Sequence, residues 1–211
     1  TLGVAWGGTV RRVIQYLNPC RKIPASFVAL HGSIPCYGAD LNPEALVGRM
    51  AMAFGGRQHV LEHPGLQPAI QDVANVLAEP ALVKLFSLYE AITISVASVG
   101  SFRPELTSRL AQNYLTPGEL HDLLVAGVVG DLVLRFFDAE GQECETPLKD
   151  RTLAIPFAQY RRIPFKLVVA SGVMKAHTLQ AALAGGLVDA LVVDEALARA
   201  VAQLGGLAPA S

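Results

Sequence analysis

Cysteine is scarce in this chain, and the few present cannot cooperate. Cys20, Cys36 and Cys144 are three in 211 residues. They are far apart and odd in number, and no Cys-x-x-Cys pair occurs, so neither a disulfide framework nor a zinc ribbon is expected. A reducing compartment, the cytoplasm, fits that usage. Excess positive charge is missing too. Seventeen Lys and Arg stand against 18 Asp and Glu, for a formal net charge of −1. Surfaces that grip nucleic acid are usually basic, so this stretch is not expected to hold DNA by itself. No apolar run reaches the roughly 18 uncharged residues that a bilayer span needs. The longest, 91–102 and 123–130, read as core strands. Thr1 opens almost directly onto an apolar strand with no signal-peptide pattern, and a start at threonine suggests a segment missing upstream.

Catalytic and cofactor signatures are equally thin. There is no Walker loop and no full dinucleotide fingerprint, so no cofactor is expected. None of Ser33, Ser95, Ser98 or Ser171 sits in a Gly-x-Ser-x-Gly elbow. His59-Val60-Leu61-Glu62-His63 has the spacing of an inverted zinc-protease motif. That chemistry needs both histidines on one face of a helix, and Gly55-Gly56 before and Pro64-Gly65 after argue against a long helix there. No metal site is expected.

What the chain has in quantity is apolar residues, at 52%, with a positive mean hydropathy. Valine, leucine and alanine dominate, which suits a central sheet covered by helices on both faces. Strands are read at 1–5, 26–30, 58–61, 91–96, 128–137, 167–170 and 191–193. Helices are read from the Gly7-Gly8-Thr9 turn to about Leu17, over 42–54 with Asn42 as N-cap and Pro43 first, over 66–89 with a break near Pro80, over 104–113, 117–124 and 175–183, and from Asp194 to about Leu204. A loop spans 32–41. The turn Asp138-Ala139-Glu140-Gly141 can fold the 128–137 strand into a hairpin. Gly185-Gly186 is the expected helix stop. This alternation predicts one α/β domain with a mostly parallel, Rossmann-like three-layer sheet.

Ligands of open α/β sheets bind beyond the carboxyl ends of strands, so the loops that follow strands are the ones to search. Trp6-Gly7-Gly8-Thr9 joins a strand to a helix. Its glycines let backbone approach an anion, the helix start offers unpaired N–H groups, and Thr9 adds a hydroxyl. Ser171-Gly172-Val173-Met174-Lys175 repeats that arrangement. A lysine at a helix start opposes the helix dipole, a conflict that a bound anion would remove. Asp131 lies in the apolar segment from Gly127 to Phe137, where a carboxylate is costly unless paired or facing a cleft. There it could accept hydrogen bonds from sugar hydroxyls. His31-Gly32-Ser33 follows the second strand, and a protonated His31 could donate to phosphate.

Taken in order, these pieces form a series: 4–9, then Gly127-Val128-Val129-Gly130-Asp131 with Arg135-Phe136-Phe137-Asp138 and Gly141, then Val168-Val169-Ala170-Ser171-Gly172 with Lys175, then Ala181-Ala182-Leu183 with Gly185-Gly186, and finally Asp194-Glu195. The series resembles the effector-binding, sugar-binding domain of the SorC family of bacterial transcriptional regulators, over nearly the whole chain. The resemblance implies the sugar-phosphate isomerase, deaminase and coenzyme A transferase fold. It also implies a small phosphorylated sugar or polyol as effector, and an N-terminal helix-turn-helix that carries DNA binding outside this chain. Carried over by position, Gly7, Gly8, Thr9 and the turn from Gly172 to Lys175 would hold phosphate and Asp131 would contact the sugar. His31 falls where a relative has arginine, with Gly32 and Ser33 beside it, and Asn42 falls near a further polar contact. This sequence departs from the family pattern at Ser171, at Val193 and at 97–100.

The resemblance further implies a homo-oligomer, a dimer that becomes a tetramer in the full-length protein, with no membrane partner. The alternative is an enzyme on the same fold, a sugar-phosphate isomerase or amino-sugar-phosphate deaminase. Asp131 could then be a general base, but no partner acid motif is evident.

Overall fold

The strand–helix alternation resolves into two sheets of unequal size. The computed structural model describes residues 1–34, 42–102 and 114–206. The larger sheet has six parallel strands, β1 (Leu2–Val4), β2 (Ser26–Ala29), β3 (Arg57–His59), β4 (Ile94–Ala97), β8 (Phe165–Ala170) and β9 (Ala190–Val193), in the order β3-β2-β1-β4-β8-β9. The smaller is an antiparallel sheet of β5 (Val99–Ser101), β6 (Gly130–Leu132) and β7 (Arg135–Phe137). Only Ser98 separates β4 from β5, so the chain passes from one sheet to the other at that residue.

The helices are α1 (Gly8–Gln15), α2 (Pro43–Phe54), α3 (Ile70–Leu77), α4 (Pro80–Tyr89), α5 (Pro117–Val125), α6 (Phe157–Arg161), α7 (Ala176–Ala184) and α8 (Glu195–Leu204). Their ends follow from local chemistry. Pro43 opens α2, where its fixed φ suits a first helical turn and no amide partner is lost. Thr116 and Glu119 form a reciprocal capping box at α5. Asp194 caps α8 by accepting from the Leu197 N–H at 2.9 Å. On α1, Val10 and Ile14 lie four apart on one face, and both are buried in the main core.

Some expectations need correction. The segment 128–137 is two strands, not one. The chain reverses at Val133-Leu134, giving the register Leu132↔Arg135 and Asp131↔Phe136. The turn at Asp138 is also present, with the Asp138 carboxylate accepting from the Glu140 and Gln142 amides, and it brings Glu143 opposite Phe137. The run 123–130 is not a strand: it is the end of α5 and a turn, and only Gly130 enters β6. Helix signal begins at Ile70 rather than Leu66, because Leu66 is bridged to Thr152. The predicted helix 104–113 lies outside the described residues, as do Cys36 and most of the predicted 32–41 loop.

Two hydrophobic clusters result. The main one lies between the parallel sheet and its helices. The second gathers Ile34, Leu66, Phe102, Leu123, Leu134 and Phe136, among others. Val133 belongs to the first and Leu134 to the second, so the hairpin tip divides its side chains between them.

Arg135 ties this hairpin to the segment that follows. Its guanidinium donates to the carbonyls of Lys149, Thr152, Ala154 and Ile155 and pairs with Glu143 at 3.5 Å. A planar fork with five donors suits such a set of acceptors. Replacing Arg135 by Met keeps the length of the side chain but strands those carbonyls and Glu143. The expected loss is about 1–3 kcal/mol, the cost of leaving buried acceptors without a partner. Urea unfolding measures it, and a loss below about 1 kcal/mol would deny Arg135 this role.

Candidate ligand-binding site

Strand order reverses between β1 and β4. The chain runs from β1 outward through β2 and β3, then returns to the other side of β1. At such a switch point the loops part and leave a crevice. The loop after β1 carries Gly7 and the loop after β4 is Ser98, and the two touch. A Cβ on Gly7 would lie 3.3 Å from the Ser98 Cβ, and Gly7 has a φ of +145°, which side chains rarely adopt. No side chain caps the start of α1, so its first-turn amides at Gly8 and Thr9 are open to an anion.

Lys175 arrives from the loop after β8. Its Nζ lies 3.4 Å from the Ser98 hydroxyl. Asp131 comes from the small sheet, paired with Gly100. Its strand sits close against α7: a Cβ on Gly130 would fall 2.1 Å from the Thr178 methyl, a space only glycine leaves. Asp131 is buried, at 2% exposure. The Leu134 amide and Lys175 both favour its charged form, yet Oδ1 has no hydrogen-bond partner among the described residues. Burial dominates both charges, pushing the Asp131 pKa up to about 7 and the Lys175 pKa down, against their mutual attraction.

Gly7, Gly8, Thr9, Asp131 and Lys175 therefore gather at the switch point, with Ser98 as a member that sequence reasoning passed over. Its signal was position alone, as the residue after the strand on the far side of the reversal.

The remaining predicted residues serve differently. His31 is fully buried. Its Nε2 accepts from the Trp6 N–H at 3.0 Å, and Nδ1 lies 2.8 Å from the Gly32 carbonyl, to which it donates. Burial lowers its pKa to about 4. A neutral ring with both nitrogens engaged is no cationic phosphate donor. It holds the Trp6–Gly7 turn instead. Gly32 donates to Leu153, Ser33 to His63, and the Gly65 amide to Ser33, so these two residues brace the neighbouring segment. Asn42 accepts from the Ile34 N–H at 3.2 Å. Gly172 stands at the switch-point side, but the Asp194 carboxylate accepts from its amide at 2.8 Å. His59 and His63 do not converge. His59 lies 3.3 Å from the Ser26 hydroxyl, and His63 lies 3.1 Å from Glu79. Among the described residues no group of acidic, histidine or cysteine side chains has the spacing to hold a metal.

Comparisons with known proteins bear on the family and the fold. A family profile described as "Putative sugar-binding domain" matches residues 1–203. The chain is similar to the deoxyribonucleoside regulator of Bacillus subtilis (strain 168), being 27% identical over 201 residues that cover 95% of this chain and 63% of that protein. It is similar to the erythritol catabolism regulatory protein EryD of Brucella abortus (strain 2308), 25% identical over 202 residues, covering 95% and 62%. The chain thus spans a little over three-fifths of the length of these curated relatives. Among solved structures, the full-length sorbitol operon regulator SorC of Klebsiella pneumoniae superimposes with a TM-score of 0.86 at 21% identity, covering 95% of this chain and 64% of that one. A transcriptional regulator from Streptococcus pneumoniae TIGR4 gives 0.87 at 23%, covering 97% and 78%. At these identities the structures establish a shared fold.

The raised pKa of Asp131 has a thermodynamic consequence. The folded chain holds a proton there that the unfolded chain releases near its ordinary value of 3.8. The native state binds more protons between those values, so this group's contribution is full below about pH 4 and lost as pH rises through about 7. Lys175, with its pKa depressed, acts in the opposite sense on the alkaline side. Asp131→Asn should flatten the slope of stability between pH 4 and 7. It should also narrow the gap in stability between pH 5 and pH 8, because the cost of ionising a buried carboxyl is gone. Urea midpoints at pH 5, 6, 7 and 8 decide it, and an unaltered slope would absolve Asp131.

Proposed function

The chain belongs to the sugar-binding domain family found in SorC-type transcriptional regulators, and we propose on that footing that it senses a phosphorylated sugar or polyol and signals its presence to a DNA-binding segment of a longer protein. The observation that carries this reading is the buried Asp131 carboxylate, with an unmet oxygen at the switch point beside Lys175. The unmet oxygen calls for a hydroxyl donor. The uncapped start of α1 and the lysine call for an anion. A sugar phosphate has both. Gly7, Gly8, Thr9, Ser98 and Lys175 would receive the phosphate and Asp131 a hydroxyl. His31, Gly32, Ser33 and Asn42 would keep the surrounding loops in place.

Sensing is favoured over turnover for a chemical reason. Aldose–ketose isomerisation needs a base at the carbon and an acid for the second proton. Asp131 could supply the first. The only buried histidine among the described residues, His31, is committed to backbone through both nitrogens. The relatives named above are all regulators. Lys175→Ala should weaken binding of a phosphorylated effector by about 1.5–3 kcal/mol, the range of a charge-assisted hydrogen bond. Calorimetric titration reads this directly, and unchanged affinity removes Lys175 from the site. NMR of the same mixtures should show the sugar phosphates intact. Sustained isomerisation or release of ammonia, abolished by Asp131→Asn, would replace the sensor with an enzyme.

DNA binding would belong to sequence outside this chain, consistent with its balanced charge and with the greater length of its relatives. We further propose a homodimer of the domain, because paired operator half-sites call for a twofold protein and a sensor needs two states to bias. Sedimentation at micromolar protein, with and without effector, should show a dimer whose association constant changes on binding. A monomer in both conditions would refute this.

A further inference from the structure

Asp194 occupies a donor that the effector would otherwise use. The turn after β8 has the form of an anion cradle, a glycine at φ +97° followed by a short helical turn and Lys175. Yet the Gly172 N–H already donates to Asp194 Oδ2 at 2.8 Å, while Oδ1 of the same carboxylate accepts from the Leu197 N–H at 2.9 Å. These two amides and the Ser171 side chain hold the Asp194 carboxyl below the usual carboxylate range, so it is an anion at neutral pH. The carboxylate thus joins the loop after β8 to the start of α8, across two neighbouring parallel strands.

The charge at the site follows. Among the described residues that the contacts above bring to the switch point, Lys175 is the cation, and His31 is neutral. Asp194 is a carboxylate, and Asp131, its pKa raised to about 7, is divided between carboxylate and carboxylic acid. A phosphate ester carries about −1.5 to −2 near pH 7. One such group can be met by Lys175 and the amides of the uncapped α1 start. A second, at the other end of a ligand, would face the unpartnered Asp131 Oδ1 or would have to displace Asp194 from the Gly172 amide. Asp194 offers only acceptors and Asp131 at most a single proton, whereas a phosphate needs several donors. A hydroxyl can donate to either carboxylate.

We propose that Asp194 is a specificity-determining residue: by closing the Gly172 amide with its own carboxylate, it restricts the site to sugars or polyols bearing one phosphate and excludes bisphosphates. This rests on the phosphorylated-sugar reading above and narrows it to a charge class.

The test is calorimetry on the whole chain with matched pairs of mono- and bisphosphates of ribose, fructose and glucose, on the natural sequence and on Asp194→Asn. Asparagine retains the α8 cap, being as good an N-cap as aspartate, but removes the charge. Asp194→Ser is the second variant should the first fold poorly, since serine also caps well. For the natural chain, the best monophosphate should bind at least about tenfold more tightly than its bisphosphate, a difference of roughly 1.4 kcal/mol. In Asp194→Asn the gap should fall to about threefold or less, by a gain for the bisphosphate. A bisphosphate bound as tightly as the monophosphate by the natural chain overturns the proposal and leaves the phosphorylated-sugar reading standing. A preference that both variants preserve overturns the role of Asp194. Failure of every ester to bind, with a neutral polyol binding instead, overturns the phosphate reading and this proposal with it.

Discussion

A carboxylate that the protein buries but does not fully satisfy is the constraint around which the site is built. Asp131 sits in a three-residue strand whose members are all buried. One backbone amide and one nearby lysine support it, and Oδ1 is left unmet. Buried polar groups are nearly always paired, because leaving one unpaired costs about 1–3 kcal/mol. Folding tolerates that cost only where the rest of the structure holds the group in place. Here that hold has identifiable parts: the hairpin tip, the Arg135 fork and the close seat of β6 on α7.

The hairpin tip shows how far the fold goes to keep the carboxylate there. Val133 and Leu134 have φ of 53° and 63°, the left-handed region that a two-residue hairpin turn requires at both central positions and that Asn-Gly ordinarily fills. For a β-branched residue this is a true outlier, with strain on the order of 1–3 kcal/mol. Apolar burial opposes it. Val133 and Leu134 are 2% and 0% exposed, one in each hydrophobic cluster, and burying such side chains contributes about 1.5–3 kcal/mol each. The strained turn sets the Leu134 amide where it favours the charged form of Asp131. The same side chain leaves no room at Gly65, where a Cβ would fall 2.3 Å from Leu134 Cδ1.

That turn also explains what the sequence concealed. The parallel sheet, most of its helices, the start of α2 at Pro43, the Asp194 cap and the stop at Gly185 were legible, because apolar periodicity and terminal residues encode them locally. The resemblance to the SorC family was legible from the order of motifs. The hairpin was not, because Leu132-Val133-Leu134 contains no turn residue, and its reversal is imposed by two cores rather than by local preference. His31 was misjudged for a similar reason. A histidine after a strand looks available, and only the fold reveals that Trp6 and Gly32 claim both of its nitrogens. Gly172 looked like a free cradle because its partner lies 22 residues later, at the start of α8. The misses at His31 and Gly172 concern polar groups with a partner distant in sequence, Trp6 and Asp194, and such pairings leave no trace in local spacing.

These distant pairings connect the site to the body of the protein. The Leu134 turn presses on Gly65, whose amide donates to the Ser33 carbonyl and whose carbonyl accepts from Leu153. Ser33 and Gly32 follow His31, and the His31 ring holds the Trp6–Gly7 turn where an anion would bind. Asp131 and the Gly7 loop, drawn from different sheets, are thus linked through one continuous set of close contacts. A ligand that donates to Asp131 Oδ1 and also engages the start of α1 would bridge the two ends of that set. It would supply the missing hydrogen bond at one end and an anion for the uncapped amides at the other. A domain that is incomplete in both respects without its ligand has a free-energy difference between empty and filled states built into its fold, and such a difference is what an effector needs in order to shift an equilibrium elsewhere in a protein.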